Sequence, residues 1–160
     1  GACPVIAVDL SEDKLALAKD LGATAAFDAR SGDVVERVRA ATGGGADHAF
    51  EFAGSAAALK SAYAMTRRGG TTITAGLPPP GVEAGIDIVS LVGEERTVKG
   101  SYIGTCVPSR DIPRYIALYQ AGRLPVDRLL TGTIALDDIN AGFDRLREGK
   151  CVRLVVENGA

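Results

Sequence analysis

A chain of 160 residues, 46% hydrophobic and 24% charged, has the make-up of an ordinary globular domain and enough length to bury a core of its own. Its 18 basic and 20 acidic residues are scattered and nearly balanced, which gives no cationic footprint for nucleic acid or for an anionic membrane surface. No apolar stretch nears the roughly 20 residues of a bilayer crossing, and the first residues lack the basic flank and apolar core of a signal peptide.

The first element is Val5-Ile6-Ala7-Val8-Asp9-Leu10, an apolar run closed by a carboxylate. A run of this kind suits a strand buried on both faces of a parallel sheet, and its carboxyl end is where open α/β sheets bind ligands. Asp9 and Leu10 are therefore the first binding candidates. Ser11 is placed to cap a helix with Glu12 and Asp13 in its first turn and Leu15, Ala18 and Leu21 on one face, ended by Gly22. Ala25-Ala26-Phe27 follows as a short strand. Asp33 is then expected to cap a helix carrying Val34, Val38 and Ala41 on one stripe. Gly43-Gly44-Gly45 lies after a helix and before a strand, the reverse of a phosphate loop, and reads as a helix exit.

Ala46 to Glu51 is the next strand and carries the one histidine, His48, to which no chemistry is assigned. Gly54, in Ala53-Gly54-Ser55, would allow close approach of backbone to a ligand. A helix with Leu59, Ala62 and Met65 on one side runs into Arg67-Arg68-Gly69-Gly70, expected as its basic exit. Thr71 to Ala75 is the strand after that, and Gly76-Leu77-Pro78-Pro79-Pro80 takes the chain off the sheet over its carboxyl edge. Val89 to Gly93 reads as a helical turn and Thr97 to Tyr102 as a strand. Asp111 to Ala121 is the next helix, with Pro113 in its first turn. Asp137 to Arg147 is the clearest helix, with Ile139, Phe143 and Leu146 at helical spacing. Val152 to Val156 is a closing strand. The alternation predicts an α/β fold, a doubly wound parallel sheet of Rossmann-like type. No linker divides 1–160. Cys3, Cys106 and Cys151 are odd in number and far apart, which argues against a disulfide framework and a structural zinc and for a cytoplasmic setting.

Taken in order, VIAVDLSEDKLALAKDLGAT, DHAFEFAGS, ITAGLPPP, TVKGSYIG and INAGFDRLREGKCVRLVV resemble the cofactor-binding domain and C-terminal tail of the medium-chain, zinc-dependent alcohol dehydrogenases. The resemblance implies a hydride transfer between an alcohol or aldehyde and NAD. It gives Asp9 the adenosine ribose, with Lys14 reaching the same sugar, a pair that implies NAD over NADP. Phe52 and Ala53 match positions flanking adenine and ribose. Ala75 and Leu77 match nicotinamide contacts. The backbones of Ser101 and Ile103 match those that hydrogen-bond the carboxamide, and Arg153 an arginine on the pyrophosphate.

Two features depart from that pattern. The family's first strand, glycine-rich turn and first helix are not in the sequence, and neither are its zinc ligands. Zinc is thus expected in a longer enzyme but not on this chain, which alone is expected to be inert. In the 3-2-1-4-5-6 order of the fold the missing strand is central, so the strands ending at Asp9 and Glu51 would face a gap that something should fill. A homo-oligomer through Thr97 to Tyr102 is also implied. The competing readings are an S-adenosylmethionine-dependent methyltransferase, which would close with an antiparallel hairpin, and a non-catalytic adenosine-binding module.

Overall fold

The computed structural model describes residues 1–158 and divides into two compact units, Gly1–Cys106 and the stretch from Val107 onward. The division carries no linker signal, which is why the sequence reads as undivided. The first unit alternates strand and helix: β1 (Ile6–Asp9), α1 (Glu12–Asp20), β2 (Ala25–Asp28), α2 (Val34–Ala41), β3 (Ala46–Glu51), α3 (Ala56–Met65), β4 (Thr66–Thr74), α4 (Ile88–Gly93) and β5 (Thr97–Gly100). All pairing is parallel. β1 lies on β2 with Asp9 opposite Asp28, and β3-β4-β5 forms a separate sheet with Glu51 opposite Thr74 and Thr74 opposite Gly100. Parallel strands joined through helices make the fold α/β and Rossmann-like.

β1 and β3 are not paired with each other, so each keeps an edge that no described strand occupies. Such edges are costly when buried, at about 1–3 kcal/mol per unmade hydrogen bond. Here the residues of β1, and all of β3 except Glu51, are half-buried or exposed, so water reaches the edges and that cost falls away.

The core of this unit is small. Val34 and Val38 of α2 pack with Met65 of α3, and Ile6, Phe27 and Val35 close around them. The four-residue spacing of Val34 and Val38 puts both on one helical face. A polar pin sits beside this core. Thr66 and Thr72 are fully buried, the Thr66 hydroxyl donates to the Ala62 carbonyl at 2.8 Å, and Thr72 Oγ1 lies 2.8 Å from Thr66 Oγ1. Since each hydroxyl carries one proton, Thr72 donates to Thr66.

Several boundaries differ from the sequence reading. Arg67-Arg68-Gly69-Gly70 is the opening of β4, not a helix exit, because Thr66 already pairs with Ala46 and the register then slips so that His48 faces Thr71. The Arg67 guanidinium secures the irregular stretch through Asp47 at 2.7 Å. Asp33 takes the N-cap position of α2 but makes no capping bond; its carboxylate accepts from the Ser31 hydroxyl instead. Ser11 and Ser55 do cap, accepting from the amides of Lys14 and Ala58. β5 stops at Gly100, short of Tyr102: the Ser101 amide closes the ladder on the Thr74 carbonyl at 2.9 Å, and the chain then enters a 3-10 turn at Ile103–Thr105.

The second unit contains α5 (Pro108–Gln120), β6 (Gly132–Ala135), α6 (Ile139–Arg147) and β7 (Leu154–Glu157). α5 begins a turn earlier than the Asp111 start read from sequence. Pro108 supplies the pre-set first position, and the buried Asp111 carboxylate accepts from the Val107 amide at 2.8 Å. Pro113 is thereby a residue inside the helix. α6 starts at Ile139, after a 3-10 turn over Leu136–Asp138, and β7 starts at Leu154 because Thr131 Oγ1 accepts from the amides of Val152 and Arg153. β6, invisible to the sequence reading, pairs in parallel with β7. α6 lies against it through Gly142, where a Cβ would fall 2.5 Å from Ile134 Cδ1. Among the described residues no helix is long and apolar enough to cross a membrane.

Candidate functional site

Three strands of the first unit end on an acid, and the three acids do different things. Asp9 closes β1. Its Oδ1 accepts from the Ser11 amide at 2.9 Å, and no described residue donates to Oδ2. Because Ser11 itself caps α1, the carboxylate keeps an oxygen for a ligand. Asp28, the register partner of Asp9, is committed to Arg30, whose Nε and Nη2 reach both of its oxygens at 2.7–3.1 Å. That guanidinium, helped by the Arg30 amide, holds the Asp28 carboxyl well down, at about 2 against an ordinary 3.8. Glu51 closes β3 and is 4% exposed. Its Oε1 accepts from the Gly54 amide at 2.6 Å and its Oε2 from the Thr74 hydroxyl at 2.7 Å, while its carbonyl accepts the Ala75 and Gly76 amides.

The exits of β3 and β4 are pressed together at that point. A Cβ on Gly76 would fall 2.1 Å from the Gly54 nitrogen and 2.9 Å from the Phe52 carbonyl carbon, and one on Gly54 would lie 3.1–3.2 Å from the Leu77 backbone. Gly54 also holds φ +67°, a left-handed conformation. The close approach at Gly54 includes one to another stretch of the same chain, the backbone of Leu77. Phe52, Ala53, Ala75 and Leu77, separate in sequence, are brought together around this crossing, and Phe52 and Leu77 stand out exposed.

The exit of β5 joins the same cluster. Ser101 spends its amide on Thr74 and keeps its carbonyl, whereas Ile103 spends its carbonyl on the Cys106 amide and keeps its N–H. Among the described residues neither remaining group has a partner. One acceptor and one donor two residues apart complement a primary carboxamide. Ile103 sits at φ 49°, a strained placement for a β-branched residue of the sort found at functional sites.

The other candidates are more dispersed. Lys14 lies in the first turn of α1 with its side chain half-buried, and Leu10 is exposed just past β1. Arg153 lies in the second unit, exposed, immediately before β7. Cys3, Cys106 and Cys151 are free thiols, and among the described residues no three His, Cys, Asp or Glu side chains are grouped to hold a metal ion. The donor set among the described residues does not fit a zinc site. Glu51 and Thr74 are functional-looking residues that sequence reasoning passed over. The available signal was the one that selected Asp9, an acid closing a strand.

Residues 1–121 match the family model described as zinc-binding dehydrogenase. The chain belongs to that family. This zinc-binding dehydrogenase chain is 34% identical over 157 residues to geraniol dehydrogenase of Castellaniella defragrans, covering 98% of itself and 42% of that protein. Among solved structures it matches an alcohol dehydrogenase zinc-binding domain protein from Burkholderia ambifaria with a TM-score of 0.94 at 35% identity, over 100% of this chain and 43% of that one. Benzyl alcohol dehydrogenase from Acinetobacter calcoaceticus gives 0.94 at 33% identity, over 99% and 44%. The chain spans about two fifths of the length of the curated relatives it matches. The methyltransferase alternative finds no support, and all strand pairing among the described residues is parallel, without the antiparallel hairpin that reading requires.

Proposed function

We propose that this zinc-binding dehydrogenase chain is the NAD-binding part of a longer alcohol dehydrogenase, which passes a hydride between an alcohol or aldehyde and the nicotinamide. The observation that carries this is the exit cluster of β3, β4 and β5, where Ser101, held on Thr74 next to Ala75, keeps an unspent carbonyl and Ile103, two residues on, an unspent amide. A nicotinamide carboxamide taking both groups would be fixed with one ring face toward the substrate. Asp9 would take the ribose hydroxyls of the adenosine end on its open oxygen, and its charge would repel the extra phosphate of NADP. Lys14 would lie near the same sugar.

Hydride transfer to bound NAD also releases one proton from the alcohol. The groups of this chain act on the cofactor side of that exchange, by binding and orienting. The edges of β1 and β3 fit a further parallel strand between them, supplied by polypeptide outside Gly1–Ala160, and the zinc ligands would come from there too. The exposed edge strand β5 is the proposed contact between two copies. Titration of the full-length polypeptide with NAD and NADP, followed by turnover with geraniol and benzyl alcohol, tests the proposal. Saturable binding of NAD over NADP and NADH production from an alcohol are expected, and a polypeptide that binds neither dinucleotide refutes it.

A further inference from the structure

Glu51 is the one charged side chain of the sheet's carboxyl edge that is buried, and every acceptor it has is engaged. Its two side-chain oxygens hold the Gly54 amide at 2.6 Å and the Thr74 hydroxyl at 2.7 Å. Its carbonyl holds the Ala75 amide at 2.8 Å and the Gly76 amide at 3.2 Å. Thr74 in turn gives its carbonyl to the Ser101 amide at 2.9 Å. One residue therefore ties the exits of β3 and β4 to each other directly and to the exit of β5 through a single intermediary. Burying a carboxylate is expensive unless its hydrogen bonds are made, and an apolar residue here would strand the inward-facing Gly54 amide and Thr74 hydroxyl. The Gly54–Gly76 crossing leaves no slack either, since it admits not even a Cβ. Small errors in how the exits meet would pass straight to Ala75, Leu77 and Ser101.

We propose that Glu51 is a positioning residue for the nicotinamide end of the cofactor, clamping the Gly54 amide and the Thr74 hydroxyl so that the exits of β3, β4 and β5 present a fixed surface to the ring. This rests on the dinucleotide reading above. The adenosine end rests first on Asp9, on the other sheet, with Phe52 and Ala53 flanking it from the exit of β3, so the ring-dependent effect is read as loss of NADH beyond the loss of ADP-ribose. In the full-length polypeptide, Glu51→Ala, Glu51→Gln and Thr74→Val are compared with wild type in NADH binding, read from nicotinamide fluorescence, in ADP-ribose binding, and in kcat, all well below the thermal transition.

Glu51→Ala should weaken NADH about 10-fold and lower kcat about 10- to 100-fold, the scale of loss expected for a misplacement of up to about 1 Å at the reacting centre. ADP-ribose, which lacks the ring, should lose clearly less than NADH, and the ratio of the two losses is the readout. Thr74→Val should show the same split, less strongly. Glu51→Gln should recover most of the loss, because its amide oxygen accepts from Gly54 while its amino group donates to a reoriented Thr74 hydroxyl. A merely structural Glu51 would give lower melting temperatures with NADH binding and kcat unchanged, or equal losses for NADH and ADP-ribose, and either result overturns the proposal. If Glu51→Ala does not fold, an unchanged NADH to ADP-ribose ratio in Thr74→Val overturns it as well. A wild-type protein that binds neither NADH nor ADP-ribose refutes the dinucleotide reading itself, an outcome distinct from all of these.

Discussion

Replacing Asp9 should change which dinucleotide the full-length polypeptide prefers. Asp9 Oδ1 is held by the Ser11 amide at 2.9 Å, which leaves Oδ2 and the second lone pair of Oδ1 open for the ribose hydroxyls of the proposed cofactor. A hydrogen bond to a charged group contributes about 1.5–3 kcal/mol, so losing one such bond should weaken NAD by roughly 10- to 100-fold. NADP gains from the same change, because the carboxylate that repels its extra phosphate is gone. The NAD-to-NADP preference should therefore collapse by more than the loss in NAD affinity alone. Asp9→Ala also deprives the Ser11 amide of its acceptor and could loosen the start of α1. Asp9→Asn separates the two effects, since its amide oxygen still accepts from Ser11 while the charge is absent. Dissociation constants for both dinucleotides, measured by calorimetry at fixed ionic strength for the three proteins, decide the matter. An unchanged ratio of the two constants in both variants would remove Asp9 from the cofactor and make it a turn residue.

Two further outcomes follow from the geometry. Asp28 has a carboxyl depressed to about 2 by the Arg30 side chain first and the Arg30 amide second, so whatever this pair contributes to stability is present above the ordinary 3.8 and lost as pH falls toward 2. A carboxyl-carbon NMR titration should find the low midpoint and show it rising in Arg30→Ala; a midpoint that stays put would mean the guanidinium is not its cause. In the Thr72–Thr66–Ala62 chain, Thr66→Val should cost about 1–3 kcal/mol in urea unfolding by leaving the fully buried Thr72 hydroxyl without an acceptor, and Thr66→Val with Thr72→Val should cost less than the sum of the single changes. Strict additivity would show that the two hydroxyls do not depend on each other.

The fold was legible wherever a residue pattern had one physical meaning. Val5 to Asp9 is apolar, short and closed by an acid, and Ile6–Asp9 of it forms β1; Val34 and Val38 share a helical face, and they form the core with Met65. Legibility failed where partners far away in sequence decide. Arg67 to Gly70 carries the composition of a helix exit, yet Asp47 and Ala46 recruit it into β4. β6 opens on a glycine and spans only Gly132–Ala135, so nothing local distinguishes it from a loop before β7 pairs with it. The candidate site behaves the same way. Asp9 is visible because it ends a clean apolar run, whereas the roles of Glu51 and Thr74 depend on two exits crossing at Gly54 and Gly76, a contact that no sequence spacing encodes.

The open edges of β1 and β3 bear on how the proposed enzyme is assembled. In a doubly wound sheet the central strands are covered on both faces, yet Phe50 and Phe52 beside the β3 edge are 60% and 74% exposed and stacked at 6.2 Å, and Leu10 beyond β1 is 63% exposed. Exposed aromatics beside an unpaired parallel edge are surface that a further strand and its crossover helix would bury, at about 25 cal/mol for each Å² of apolar area. The same strand would bring its carboxyl end between Asp9 and the Gly54–Gly76 crossing. The proposed adenosine and nicotinamide anchors lie on separate sheets in this chain, so an element that fills the gap would also set the distance between them. Cofactor affinity and the stability of the first unit should then rise together when that strand is present.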